Sequence, residues 1–507
     1  MPARMPTRQP DVPPNRGRSR AFRLETLAAV SAGLLAACGT PGVRGVAGTA
    51  PAPNVFWTPP PSPAPERRAA EPAAALLPPD VAERVAQLNL ADVIDIALRN
   101  NAATGAAWAD ARAAAASYGA ALGQYYPSLT LDGTVTAIKT VPSAGRLATK
   151  QQFLNPTLNL SWLLFDFGGR SGSVGVAREA LLAADWTHNA TLQSVVLDVE
   201  QAYFDYLGTK SLLGAQQTTL KEAQSNLEAA EQRHNVGLAT IADVLQARTA
   251  LSQTRLALQT TEGRLQTTRG ALALSMGLPA NVPYDLAVPS DTTVPPGISD
   301  SVDALIERAV RERPDLAAAR ALVAAARARV SVARSQALPS LSVGGTTAET
   351  DFLSGRPIFR NSYTATLTLS FPLFSGGAQI YDVKAAAAAA DAAARRAHGF
   401  EQQVIYEVFN AFYALRTATQ QVRTSADLLT SATQSEQVAL GRYRAGAGSL
   451  LDLLTAQAAL AGARADAIAA RFSWYLALAQ LAHDTGVLGL DGGTPLHVRT
   501  DSTGTPK

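Results

Sequence analysis

Cysteine is almost missing from this sequence: Cys38 is the sole one in 507 residues. The chain can therefore close no internal disulfide and build none of the cysteine-based metal clusters. Charge is sparse as well, with charged residues at 17% and a net charge of +3, so no face is basic enough to make nucleic acid an expected partner. The histidines, His188, His234, His398, His483 and His497, are scattered without metal-ligand pairing at helical spacing. Neither a Gly-x-Ser-x-Gly elbow nor a phosphate-binding loop occurs. No catalytic residue, metal site or cofactor is expected, and any energy must come from a partner.

What is present begins at the N-terminus. Arg16, Arg18, Arg20 and Arg23 precede an apolar run over 27–37, which has the basic-then-apolar form of an export signal and is too short to span a bilayer. The run ends in Leu35-Ala36-Ala37-Cys38-Gly39, which resembles the bacterial lipobox, in which the signal is removed before the cysteine and the cysteine is acylated. An ordinary signal peptide with an incidental cysteine is the plainer reading. By that resemblance, Gly39 after the cysteine implies sorting to the outer membrane. Residues 1–37 are then a signal and 38–85 a tether, rich in Pro, Ala and Gly and expected to run extended.

Beyond the tether the chain is duplicated. Residues 90–134 align without a gap onto 302–346, with Ile94 on Ile306 and Pro127-Ser128-Leu129 on Pro339-Ser340-Leu341. The match resumes with Val199, Gly237, Asp243 and Gly277 on Val408, Gly446, Asp452 and Gly486. The expected divisions are a first repeat over 86–278, a proline-rich connector over 279–299, a second repeat over 300–487 and a loose tail over 488–507.

Each repeat changes its hydrophobic period twice. An alanine-rich helix over 90–124 gives way to alternation of Leu129, Leu131 and Val135 with Thr130, Asp132 and Thr134, then of Leu158, Leu160 and Trp162 with Thr157, Asn159 and Ser161. In the second repeat Tyr363, Ala365, Leu367 and Leu369 alternate with Thr364, Thr366 and Thr368. The polar positions are small hydroxyl residues, and runs of about ten residues can cross a bilayer at a tilt. Tyr125, Tyr126, Phe153, Trp162, Phe165, Phe371 and Phe374 are expected near the strand ends as an interfacial belt. Helical periodicity then returns, with an unbroken helix over 170–233 and a second over 241–276. The latter carries Val244, Leu251, Leu258, Leu265 and Leu272 at sevenfold spacing, answered by Leu453, Leu460, Ala467, Trp474 and Leu481. Such a repeat makes a packing stripe between supercoiled helices.

A chain offering four membrane strands cannot close a barrel alone, since the smallest membrane barrels need about eight and an open edge leaves backbone groups unpaired in lipid. Two copies would give a barrel filled by its own side chains; three would give room for a lumen. The fold class expected is mostly α with a membrane β-barrel portion, completed by other copies.

The duplicated plan, Tyr126-Pro127-Ser128-Leu129 entering the first strand, Phe371-Pro372-Leu373-Phe374-Ser375-Gly376-Gly377 leaving the fourth, and Tyr443-Arg444-Ala445-Gly446 at a helix turn resemble the TolC-type outer-membrane factors. With the lipobox, the likeness is to their lipoprotein branch. It implies a homotrimer with a twelve-stranded barrel in outer-membrane lipid, continued by a helical tunnel across the periplasm. A periplasmic adaptor and an inner-membrane transporter are the implied partners, and the outer-membrane channel of a tripartite efflux pump is the implied role. A type I protein secretion duct is the alternative of the same class. A periplasmic coiled-coil adaptor or structural lipoprotein, whose strands pack on its own interior, is the alternative of another.

Candidate functional residues gather at the two turns farthest from the strands. Each turn has a glycine suited to a left-handed helix end, Gly237 or Gly446, and then a hydroxyl residue able to cap the next helix. Val236-Gly237-Leu238, and less strongly Gly446, match the family's adaptor-docking tips. Asp243 and Asp452 stand three residues after Thr240 and Ser449, the spacing of a capping box. In a threefold assembly Asp452 would also converge on the axis and attract cations. By resemblance Asp452 is a gate aspartate and Tyr443 belongs to the closing network; Asp243, the counterpart of Asp452 in the first repeat, is taken with them as a gate and ion-selectivity candidate. Gly448 and Thr455 replace a basic and an acidic member of it, which implies an altered latch.

Overall fold

The computed structural model describes residues 52–56, 88–140, 149–281, 284–286, 301–352 and 359–488. The first repeat contains α1 (Leu90–Asn100), α2 (Ala102–Leu122), β1 (Ser128–Thr140), β2 (Thr149–Phe165), α3 (Gly169–Asn235) and α4 (Ile241–Ser275). The second contains α5 (Val302–Glu312), α6 (Pro314–Ser335), β3 (Ser340–Phe352), β4 (Phe359–Ser370), α7 (Ala378–Arg444) and α8 (Leu450–Asp484). The duplication extends to element length: α3 and α7 each have 67 residues, and α4 and α8 each have 35. At 1.5 Å per residue the long helices reach about 100 Å.

The opening helix of each repeat is broken, where the sequence periodicity suggests one helix over 90–124. Asn101 ends α1 and caps α2, its side chain accepting from the Ala103 amide at 2.8 Å. In the second repeat the break falls before Pro314, which occupies the first position of α6 and lacks the amide a continuing helix would need. At each break the linking residue, Asn101 or Arg313, has extended backbone that interrupts the helical run. Caps mark the other starts: Asn89 and Asp92 bond reciprocally at α1, and Ser301 accepts from the Ala304 amide at α5.

The strands form one antiparallel meander, β1-β2-β3-β4. They run 13, 17, 13 and 12 residues, longer than the estimate from periodicity. Register places Asp132 opposite Thr157, Asn159 opposite Thr346 and Thr346 opposite Thr364 on one face. On the other, Leu131 pairs with Leu158, Leu158 with Thr347 and Thr347 with Tyr363. This apolar face is not packed on the protein's own helices, for Leu131 is 72% exposed and Tyr363 89%. A sheet serving a small soluble core would bury these side chains, so the adaptor alternative loses its premise.

The helical core follows the sevenfold stripes. Val244, Leu251 and Leu272 are buried on α4, as are Leu453, Leu460, Trp474 and Leu481 on α8. Leu272 packs with Val93, Ile96, Val199 and Tyr206 in the first repeat. Leu481 packs with Leu305, Val404, Val408 and Leu415 in the second. Connector residues Tyr284 and Leu286 lie in the first cluster, and Asp285 between them accepts from Tyr206 at 2.9 Å and Lys210 at 2.6 Å. Helix α7 is two-sided. Val404, Val408, Leu415 and Val422 are buried, while Tyr381, Tyr406, Phe409, Tyr413, Leu428 and Val438 stand exposed. At 100° per residue the exposed set falls within an arc of about 100°.

The described part of the expected tether, residues 52–56, makes a turn rather than running extended, closed by the Val55 amide on the Ala52 carbonyl at 3.1 Å. His188 Nε2 on α3 donates to the Val55 carbonyl at 3.0 Å, which pins this turn to the helix. Cys38, the remainder of residues 1–87, the connector apart from 279–281 and 284–286, and the tail from 489 onward lie outside the described residues.

Candidate functional site

At the far end of the helices each hairpin turns on a glycine in the left-handed region, Gly237 at φ +79° and Gly446 at φ +72°. The turns close alike. The Leu238 amide donates back to the Arg233 carbonyl at 2.7 Å, and the Ala447 amide to the Arg442 carbonyl at 2.9 Å. These are the bonds that satisfy free carbonyls at a helix end. Val236 and Leu238 project outward, 70% and 71% exposed. Two apolar side chains held in water by a rigid turn form a surface suited to a partner.

Asp243 and Asp452 occupy equivalent places, each the third residue of its helix. The Thr240 amide donates to Asp243 at 2.8 Å, and the Asp243 amide donates back to the Thr240 hydroxyl at 3.2 Å. At the second turn the Ser449 amide donates to Asp452 at 3.2 Å, and the Asp452 amide to the Ser449 hydroxyl at 3.1 Å. The Thr240 hydroxyl and amide hold the Asp243 carboxyl below the usual range. The Ser449 hydroxyl and amide, with the nearby Arg442 charge, do so for Asp452. Both are therefore anions at neutral pH, and capping uses one oxygen of each.

Tyr443 lies in the last turn of the long helix of the second repeat and packs against both hairpins. Its ring is buried between the hairpins with Ala230, Val244, Ala247, Leu450 and Leu453. Arg233, which the sequence pattern does not single out, lies over that ring at 4.7 Å and donates to the Tyr443 carbonyl at 3.2 Å. Two further links join the hairpins: Arg464 on α8 reaches Glu222 on α3 at 3.2 Å, and Asn226 donates to Gln457. Gly448 has little room for a larger residue, since a Cβ there would stand 3.1 Å from Arg442 Cβ. Thr455 bonds its hydroxyl to the Leu451 carbonyl at 2.8 Å. The structure thus brings Tyr443 together with Arg233, whose charge also bears on Asp243, while both aspartates engage their caps.

Against this fold, residues 93–278 and 305–487 match the outer membrane efflux protein family. The chain belongs to that family. The two matched segments coincide with its two repeats, and the protein is accordingly an outer-membrane efflux channel component. It is 31% identical to Protein CyaE of Bordetella pertussis, over 82% of this chain and 88% of that protein. It is 24% identical to the toluene efflux pump outer membrane protein TtgC of Pseudomonas putida, over 64% of this chain and 68% of that one. Among solved structures, the Campylobacter jejuni CmeC outer membrane channel superposes with a TM-score of 0.70 at 20% identity, covering 84% of this chain and 90% of that one. That likeness is one of fold.

Proposed function

We propose that copies of this chain, three by the family resemblance, close a common barrel in the outer membrane and form a passive exit duct. The exposed tips would dock a periplasmic adaptor, and an inner-membrane transporter would supply the energy. The observation that carries this reading is the four-stranded sheet itself. Among the described residues β1 and β4 each pair on one side only, and one face of the sheet is apolar and exposed. In lipid, unpaired edges would cost several kcal/mol per backbone group, and pairing β4 of one copy with β1 of the next removes both. The exposed aromatic face of α7 supports the same reading, because a neighbouring copy would cover it. An acylated Cys38 would fix the assembly to the inner leaflet of that membrane.

In this reading Val236 and Leu238 make the principal adaptor contact, with Gly446 shaping the second tip. Asp452 sets ion preference at the tip end, with Tyr443 and Asp243 beside it. The test is conductance of the purified native chain in a planar bilayer beside Asp452→Asn, which keeps the cap and removes the charge. The native protein should give heat-sensitive oligomers and a small cation-preferring current, and the variant a weaker preference. A water-soluble monomer without conductance would overturn the duct. An unchanged preference in the variant would remove Asp452 from the gate.

A further inference from the structure

The polar face of the sheet carries hydroxyl and amide side chains along its whole described length. Ser128, Thr130, Thr134 and Thr136 lie on β1, Asn155, Thr157, Asn159 and Ser161 on β2, and further Thr and Ser residues on β3 and β4. Asp132 is the one carboxylate on that face among the described residues. Of the other charged strand residues, Lys139, Lys150, Glu349 and Asp351 occupy the opposite face near the distal strand ends, and Arg360 stands on the polar face at the distal end of β4, in register with Thr350. Asp132 is thus the lone anion of that face, set away from the distal end at the depth where Leu131 and Leu158 occupy the apolar side.

Its carboxylate is held in place. Thr346 on β3 donates its hydroxyl to Asn159 Oδ1 at 3.1 Å, which turns the Asn159 amide nitrogen toward β1. That nitrogen donates to Asp132 Oδ2 at 2.8 Å. A hydrogen-bonded chain thus crosses three strands and ends on an anion. The donor at its end is a neutral amide, which orients the carboxylate without cancelling its charge. Among the described residues no Lys, Arg or His lies within ion-pair distance of it. A carboxylate at mid-bilayer depth is costly toward lipid and tolerable toward water, so this face belongs against an aqueous lumen.

We propose that Asp132 is a second determinant of ion preference, sited in the barrel lumen and independent of the carboxylates at the helical tips. The inference rests on the duct reading above, in which each copy contributes one Asp132 at a common level. A ring of such charges raises the local concentration of cations and lowers that of anions. Its reach is about 10 Å at 0.1 M salt and about 3 Å at 1 M. The preference should therefore fade as salt rises.

The experiment is the reversal potential of the reconstituted full chain across a potassium chloride gradient, in native and Asp452→Asn backgrounds. Asp132→Asn retains an acceptor for Asn159 and should lower the cation-to-anion permeability ratio about threefold or more at low salt, in both backgrounds. Asp132→Glu should keep the native ratio. Thr157→Lys, which places an ammonium directly across from Asp132, should lower the ratio as Asp132→Asn does, and covers the case in which that variant fails to assemble. Native conductance with a ratio unmoved by Asp132→Asn or by Thr157→Lys would overturn the inference and leave the duct intact. No native conductance would instead overturn the duct, and the inference with it.

Discussion

Asn101 and Arg313 hold the same joint in the two repeats by different chemistry. Asn101 Nδ2 donates to the Ser275 carbonyl at 3.2 Å, and the Arg313 guanidinium reaches the Asp484 carbonyl at 3.5 Å. Each fastens the break in the opening helix to the end of the closing helix. Arg313 also pairs with Asp315 and Glu407, both at 2.6 Å, although its side chain is only 5% exposed.

The two joints should therefore differ in cost. Arg313→Met removes a buried cation and leaves two partly exposed carboxylates without it, which should destabilise by about 3 kcal/mol, the low end of the range for a broken buried pair. Asn101→Ala loses one cap and one further bond, about 1–2 kcal/mol. Urea midpoints of the solubilised protein rank the two. Equal losses would show that the ion pairs add nothing to the second joint.

Gly277 and Gly237 share a positive φ, +74° and +79°, and differ in their surroundings. A Cβ on Gly277 would stand 2.6 Å from the Asn100 carbonyl oxygen, whereas Gly237 has open space. Gly237→Ala should cost about 1–2 kcal/mol of backbone strain alone. Gly277→Ala should cost clearly more, because α1 must also shift. Thermal midpoints of the two variants separate strain from collision.

Asp185 on α3 is wholly buried and neither carboxylate oxygen has a hydrogen-bond partner. Burial pushes its pKa up to about 8 from 3.8. The folded chain therefore binds a proton that the unfolded chain has released, so this contribution to stability is complete below about pH 4 and is lost as pH rises to about 8. Asp185→Asn should abolish that loss and make the fall in thermal midpoint between pH 5 and pH 8 shallower. Glu200, raised to about 7 by burial, leaves part of the slope in place. A slope identical to the native one would show that Asp185 is not protonated in the folded chain.

Arg233 joins the α3 end to the α7 end through the Tyr443 ring and carbonyl. Arg233→Ala should let the hairpins separate more readily and raise single-channel conductance in bilayers, while Tyr443→Phe keeps the ring and should leave it near native. Stacking of this kind contributes about 0.5–2 kcal/mol. A rise in Tyr443→Phe alone would assign the closure to the phenol hydroxyl instead.

Much of this was legible in the residues. Equal spacing of Gly237 with Gly446 and Thr240 with Ser449 fixed the hairpin turns, because helix ends and caps are decided locally. The alternation of Leu129 with Thr130 and of Tyr363 with Thr364 placed the strands and their faces. The break at Asn101 was hidden in a proline-free stretch, since only the capping side chain of one asparagine marks it; Pro314 signals the same break openly in the second repeat. Arg233 on Tyr443 and Arg464 on Glu222 could not be read, for they join residues more than two hundred positions apart. Arg233 bears on Asp243 as well as on Tyr443, a link that neither turn motif marks.

The meander has a consequence for assembly that does not depend on the number of copies. In the proposed barrel, with four described strands in each chain, β1 and β4 run in opposite directions, so every seam where one copy would meet the next is antiparallel. Each seam also repeats the same two edges. A substitution that spoils β1 as a hydrogen-bonding partner therefore weakens every join in the ring at once, and no subunit is spared to hold the wall together.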